Sequence, residues 1–192
     1  MQNVSSKRDL LLEAGRRLFW KYGIRRVTTD EICREAGVSR MTFYRCFDNK
    51  THLVKTIYSN LVEDTLARFF DIIRSGEASS ERMKKLLMLK MESTENLSRE
   101  FLVDLYDSPG SELHQFVEKT NRRIWGEMIE GFRYAQENGM FRKSFNPEFL
   151  MIISQKLATI MTDKELLQLY DNPQDLIMEF LNLITYGIAP EK

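Results

Sequence analysis

Apolar positions recur three and four residues apart along almost the whole chain, a spacing that places them on one face of an α-helix. The breaks fall at glycine, proline and asparagine, so the pattern predicts a succession of helices. The first runs from about Ser6 to Tyr22, with Leu11, Ala14, Leu18 and Tyr22 on one face and Gly23 as its stop. Two short helices follow within Thr28–Lys50. A long one extends from about Lys50 to Ser75, with Leu53, Ile57 and Leu61 inward. Beyond it, Ser79 or Ser80 can cap a helix through Met83, Leu86, Leu87 and Met91. Further helices are predicted at Leu97–Tyr106, ended by Ser108-Pro109-Gly110, and at about Ser111–Glu137. Phe141 to Phe145 reads as a loop. Asn146-Pro147 and Asn172-Pro173 each place a capping asparagine before a proline at the first helical position, opening helices to about Met161 and Gly187. Thr162 and Glu165 make a capping box over a short turn between them. There is no repeat, no low-complexity segment and no strand pattern, so the fold class is all-α.

The segment Thr28–Lys50, TTDEICREAGVSRMTFYRCFDNK, carries the chemistry. Thr28 with Glu31 is a capping box. Ile32 and Ala36 share a face, Gly37 suits a turn with positive φ, Val38 can plug the corner, and Ser39 can cap the second helix. Phe43 and Phe47, four apart, point inward and leave Arg40, Met41, Thr42, Tyr44 and Arg45 facing away. A short docked helix with such a face suits the major groove, where arginine pairs with guanine and threonine touches a thymine methyl. Asn49 can cap the next helix, whose first turn then offers Lys50 to a phosphate. On that reading, replacing Tyr44 or Lys50 by alanine weakens DNA binding, and the lysine change also reduces its salt dependence.

The charge distribution agrees. The net charge of the 192 residues is zero, yet residues 1–60 hold 12 Lys and Arg against 6 Asp and Glu, and the remainder 16 against 22. A head of +6 on a body of −6 is the footprint of a protein that touches DNA with one end. Other chemistry is sparse. Cys33 and Cys46 lack the spacing and histidine partners of a zinc site, so no metal is expected. His52 and His114 stand apart from any carboxylate or thiol cluster, and the pairs Asp104/Asp107 and Glu127/Glu130 are helical neighbours without a cleft. No catalytic residue, cofactor or enzymatic activity is expected. No signal peptide and no apolar run of membrane-spanning length occurs, which points to the cytoplasm and away from membranes.

The run Ile32-Cys33-x-x-Ala36-Gly37-Val38-Ser39-x-x-Thr42-Phe43-Tyr44-x-x-Phe47-x-x-Lys50-x-x-Leu53 resembles the N-terminal pattern of the TetR family of bacterial transcriptional regulators, and Phe19, Gly23 and Thr28–Thr29 resemble its lead-in. The resemblance spans the first quarter to third of the chain. Cys33, Met41, Cys46 and Thr51–His52 depart from the usual residues, which leaves the operator sequence open. The resemblance implies a three-helix helix-turn-helix head, residues 1–52 with the start of the fourth helix, joined by that long helix to an effector-binding and dimerisation bundle at 53–192. It puts Thr29, Ser39, Arg40, Met41, Thr42, Tyr44, Arg45 and Lys50 at DNA-facing positions.

It also gives meaning to two body features. The last two long helices are apolar beyond one stripe, which means thick core or interface. The resemblance favours a homodimer interface at Phe149, Ile153, Leu157, Ile160, Ile177, Phe180, Leu181 and Ile184. Methionine and aromatic residues in the middle helices either fill a core or line an adaptable cavity. For a small, largely apolar effector the candidates are Met88, Met91, Phe101, Tyr106, Trp125 and Met128. The reading is a ligand-responsive regulator, in the family more often a repressor, that binds a palindromic operator as a homodimer. The alternatives are an activator, or a helical interaction protein with a vestigial head.

Overall fold

The computed structural model describes residues 6–106, 110–160 and 163–188. Among them every regular element is a helix: α1 Lys7–Tyr22, α2 Thr29–Glu35, α3 Arg40–Cys46, α4 Lys50–Arg74, α5 Ser79–Ser93, α6 Arg99–Tyr106, α7 Glu112–Glu137, α8 Pro147–Ile160, α9 Lys164–Leu167 and α10 Pro173–Ile188. None of the described helices is long and apolar enough to cross a membrane.

The helix boundaries follow from capping chemistry. Ser6 and Asp9 form a reciprocal capping box before α1. Asn49 Oδ1 accepts from the His52 backbone N–H at 2.8 Å, Asn146 Oδ1 from Phe149 at 2.8 Å and Asn172 Oδ1 from Asp175 at 3.0 Å. Two expectations change. No side chain caps α5, whose N-cap is Ala78. Ser79 instead accepts from Arg82 Nη2 at 3.3 Å and donates to the Gly139 carbonyl at 3.4 Å. Thr162, like Met161, Ser108 and Pro109, lies outside the described residues, and the α9 turn is capped by Asp163, whose Oδ1 accepts from Leu166 N–H at 3.0 Å.

The chain packs as two compact units, residues 1–60 with 96–117, and residues 61–95 with 118–192. In the first, Leu11, Phe19, Ile32, Phe43, Phe47 and Leu53 are fully buried. Each such side chain contributes about 1.5–3 kcal/mol on burial. The inward face of α1 is Leu11, Ala14, Gly15, Phe19 and Trp20, with Leu18 and Tyr22 half-buried at its edge. The face turns toward Trp20 where α6, which the resemblance assigns to the body, packs on α1 in this unit. The Trp20 and Phe101 rings lie 4.2 Å apart, and Ser98 N–H donates to the Trp20 carbonyl at 2.9 Å.

The second unit is built around Phe69, Ile73, Leu89, Phe132, Met140, Phe141 and Phe145. Phe132 stands at the centre, with its ring 5.3 Å from Phe69, 5.5 Å from Phe141 and 5.9 Å from Phe145. The loop carrying the last two is pinned to α7 by Gln136, whose Nε2 donates to the carbonyls of Phe145 at 2.8 Å and Arg142 at 3.0 Å. Arg82 is buried and donates from Nη1 to the Ile73 carbonyl at 2.9 Å, placing a cation at the C-terminal end of α4. Helix α10 packs on α5, and Gln174 Nε2 donates to the Met91 carbonyl at 2.8 Å.

Two glycines of α7 give a matched test of this packing. A Cβ at Gly131 would lie 2.5 Å from Phe69 Cε1 and 3.1 Å from Ile73 Cδ1, whereas nothing lies within 4 Å of one at Gly126. Gly131→Ala is expected to cost about 1–3 kcal/mol through overpacking. Gly126→Ala is expected to stabilise by about 1 kcal/mol through helix propensity. Denaturant unfolding of the two variants checks the opposite signs.

Candidate nucleic-acid interface

The reading head is assembled from three local devices. At the start of α2, Thr28 and Glu31 satisfy each other's backbone N–H groups, at 3.2 Å and 2.8 Å. Between α2 and α3, Gly37 takes φ +65° and Val38 N–H donates to the Cys33 carbonyl at 3.0 Å, which turns the chain sharply. At the start of α3, Ser39 Oγ accepts from the Thr42 N–H at 3.2 Å.

Burial of Phe43 and Phe47 fixes the rotation of α3. Met41 is then 74% and Tyr44 57% exposed, with Arg40, Arg45 and Ser39 also on the open side. Thr29 is half-buried on α2. Thr42 differs from its expected outward position: it is 6% exposed and its Oγ1 lies 3.1 Å from Ser39 Oγ. The reason is geometric. Thr42 adjoins Phe43 on the inward arc and lies one turn before Cys46, so the packing that buries the phenylalanine takes the threonine with it.

Arg40 is engaged within the head. Its Nε and Nη2 both donate to the Asp30 carboxylate, joining α3 to α2. This hydrogen bonding holds the Asp30 carboxyl below the ordinary carboxylate range and raises the Arg40 guanidinium above its usual value. The Thr28 N–H and hydroxyl likewise lower Glu31. Cys33 is buried, and burial pushes its thiol up, whereas Cys46 is half-buried. His52 closes the α3–α4 corner, where its Nδ1 accepts from the Asp48 N–H at 3.3 Å and its ring meets Phe47 edge-on at 5.5 Å.

Lys50 also differs from its expected placement. Its Nζ donates to the carbonyls of Ile24 and Val27 at 2.8 Å each and of Arg25 at 3.3 Å, all in the connector between α1 and α2. Burial holds this ammonium below the ordinary lysine value, against the opposing pull of Asp104 and Glu31. The same connector is held by Asp104 of α6, whose Oδ2 accepts from the Arg25 backbone N–H at 2.8 Å while Oδ1 pairs with Arg25 Nε at 3.2 Å. The sequence pattern left Asp104 without a role, and its helical neighbour Asp107 lies outside the described residues. Nothing local marks Asp104, because its partner is 79 positions away.

The body residues singled out from sequence fall into different settings. Phe101 is buried and Tyr106 half-buried in the first unit, whereas Met88, Met91, Trp125 and Met128 belong to the second. Met88 and Met91 are exposed on α5, and Trp125 and Met128 pack at the edge of the aromatic core, so the six do not converge within one unit. Of the expected interface residues, Phe149 is 64% exposed and Ile153, Phe180, Leu181 and Ile184 are half-buried. Ile177 is buried in the core, because α10 turns this side inward. The side chains of Leu157 and Ile160 lie outside the described residues. Ile152, Leu183 and Tyr186, absent from the expected interface, are exposed.

Comparisons with known proteins converge on one family. Residues 11–57 match the family model described as bacterial regulatory proteins, tetR family. The HTH-type transcriptional repressor KstR2 of Mycobacterium tuberculosis is 24% identical over 153 residues, 77% of this chain and 75% of that protein. The HTH-type transcriptional regulator TtgR of Pseudomonas putida is 38% identical over 69 residues, 35% of this chain and 33% of its own length. Among solved structures, the fatty acid degradation regulator FadR from Bacillus halodurans superimposes with a TM-score of 0.69 at 15% identity, covering 99% of this chain and all of that one. The ketosteroid transcriptional regulator KstR2 gives 0.60 at 21% identity, covering 98% of each chain. The family model rests on the very helices that carry the exposed Tyr44 and Arg45: residues 11–57 form a head of the tetR family of bacterial regulatory proteins, and the chain is a transcriptional regulator of that type.

Proposed function

We propose that the chain binds a palindromic operator as a homodimer, represses transcription while bound, and is released by a small apolar effector. The observation that carries this reading is α3. It is a docked seven-residue helix with Met41, Tyr44 and Arg45 outward and Phe43 and Phe47 buried beneath them. Thr29, Ser39 and Arg40 flank that face. Tyrosine and arginine at such positions supply contacts to phosphate and base edges, and the +6 head supplies the non-specific attraction. Repression follows the relatives named as repressors.

The homodimer is supported by α8 and α10. Leu150 and Ile184 pack on the aromatic core, while Phe149 and Ile152 on α8 and Leu183 and Tyr186 on α10 stay exposed. Apolar side chains exposed on helices that already bury one face suit a partner surface. A two-fold partner of the same chain also matches the symmetry of a palindromic operator. An effector acts only through differential affinity for two arrangements of the dimer. Relatives named for fatty acid degradation and ketosteroids support an apolar one. Met88, Met91, Trp125 and Met128, all in the second unit, are the residues we assign to it.

Gel shifts with a duplex selected from a random pool test the head. Tyr44→Ala and Arg45→Ala are each expected to weaken binding about tenfold, in line with about 1–3 kcal/mol per contact. Arg122→Ala, an exposed cation of α7, is expected to leave affinity unchanged. Equal affinity for all four proteins would remove α3 from the interface. The dimer is tested separately by sedimentation. Phe149→Glu and Leu183→Glu are expected to convert a dimer to monomer and weaken operator binding by at least about tenfold. A wild-type monomer would end that part of the reading.

A further inference from the structure

The lysine at the start of α4 stands where the motif suggests a phosphate contact, yet its surroundings assign it another task. A lysine ammonium has three N–H donors. Here three connector carbonyls accept them, those of Ile24, Arg25 and Val27 at 2.8, 3.3 and 2.8 Å. Full satisfaction leaves no donor for a phosphate unless a carbonyl is given up. The Asp104 and Glu31 carboxylates also favour the charged ammonium electrostatically.

The connector itself is over-determined. Gly23 takes φ +83°, and a Cβ there would sit 2.8 Å from Asp104 Oδ2 and 2.9 Å from Glu100 Cβ. The Arg25 N–H is taken by Asp104. Lys50 therefore holds the carbonyl groups of a segment whose amide is held by α6, and that segment delivers the chain directly to Thr28, the N-cap of α2. We infer that Lys50 is a positioning residue for DNA recognition: it fixes the 23–27 connector, and through it the start of α2, without touching a phosphate. This inference rests on the DNA-binding reading above.

Salt dependence separates the two roles, because removing one phosphate interaction makes the slope of log affinity against log salt shallower by about 0.9. Lys50→Ala, Lys50→Arg and Arg45→Ala would be compared with wild type on one duplex recovered from a random pool, across a salt series. Hydrogen exchange would be followed at residues 24–31. We expect Lys50→Ala to weaken affinity about tenfold, the scale of one good interaction, with an unchanged slope and faster exchange at residues 24–31. Lys50→Arg is expected not to rescue it, since a planar guanidinium cannot converge on three carbonyls as an ammonium does. A slope shallower by about 0.9 per head with rescue by arginine would overturn the inference. Affinity and exchange that do not change would overturn it as well. If the alanine variant fails to fold, Lys50→Gln decides by the same slope. A wild-type chain that retains no duplex at any salt would overturn the DNA-binding reading and this inference with it, a result distinct from the others because every variant is then silent.

Discussion

Helix α3 has seven residues, fewer than an isolated helix needs to persist in water. Its existence depends on the burial of Phe43 and Phe47, which also settles what it can present. The two rings lie 5.9 Å apart and share the inward arc with Thr42. Met41, Tyr44 and Arg45 are outward as a geometric consequence. The head is thus a small apolar core that orients a polar surface. Arg40 adds a second tie by pairing with Asp30, so a side chain of the open face is also part of the α2–α3 joint.

The connector between α1 and α2 shows how charge can act at short range inside a basic head. Lys50 and Asp104 supply opposite charges to opposite kinds of backbone group, carbonyls and an amide, over the four residues 24–27. Charge-assisted hydrogen bonds of this type are stronger than neutral ones and set geometry as well as stability. Arg25 and Arg26 are carried outward on this braced segment, Arg26 lying 4.8 Å over the Tyr22 ring. A residue counted among the cations of the head can therefore serve its fold more than its external field.

In the second unit aromatic side chains do the filling, and one small residue permits it. Gly131 lets Phe69 and Ile73 of α4 come against the α7 backbone, with Phe132 next to it at the centre of the ring cluster. Methionines lie around that cluster: Met140 is buried within it, Met83 and Met128 are half-buried at its edge, and Met88 and Met91 are exposed on α5. A sequence reading groups such residues by type and helical spacing, whereas the packing sorts them by depth.

Much of the fold was legible in the chain. Periodic apolar positions, the Thr28/Glu31 box, the Asn-Pro caps and the glycine turn at Gly37 each depend on groups within about four residues of one another, so the sequence by itself determined the helices, most of their ends and the helix-turn-helix head. The likeness of residues 11–57 to the tetR family followed from the same local run, extended by the motif residues from Phe19 to Leu53. The tertiary structure alone decided the burial of Ile177, the exposure of Ile152 and Tyr186, the placement of α6 with the first unit, and the engagement of Arg40 and Lys50. Those outcomes rest on partners 10 to 79 positions away, or on which stripe of a doubly apolar helix meets a neighbour. Local periodicity carries no information about either, because both are settled when separate helices compete to cover the same surface.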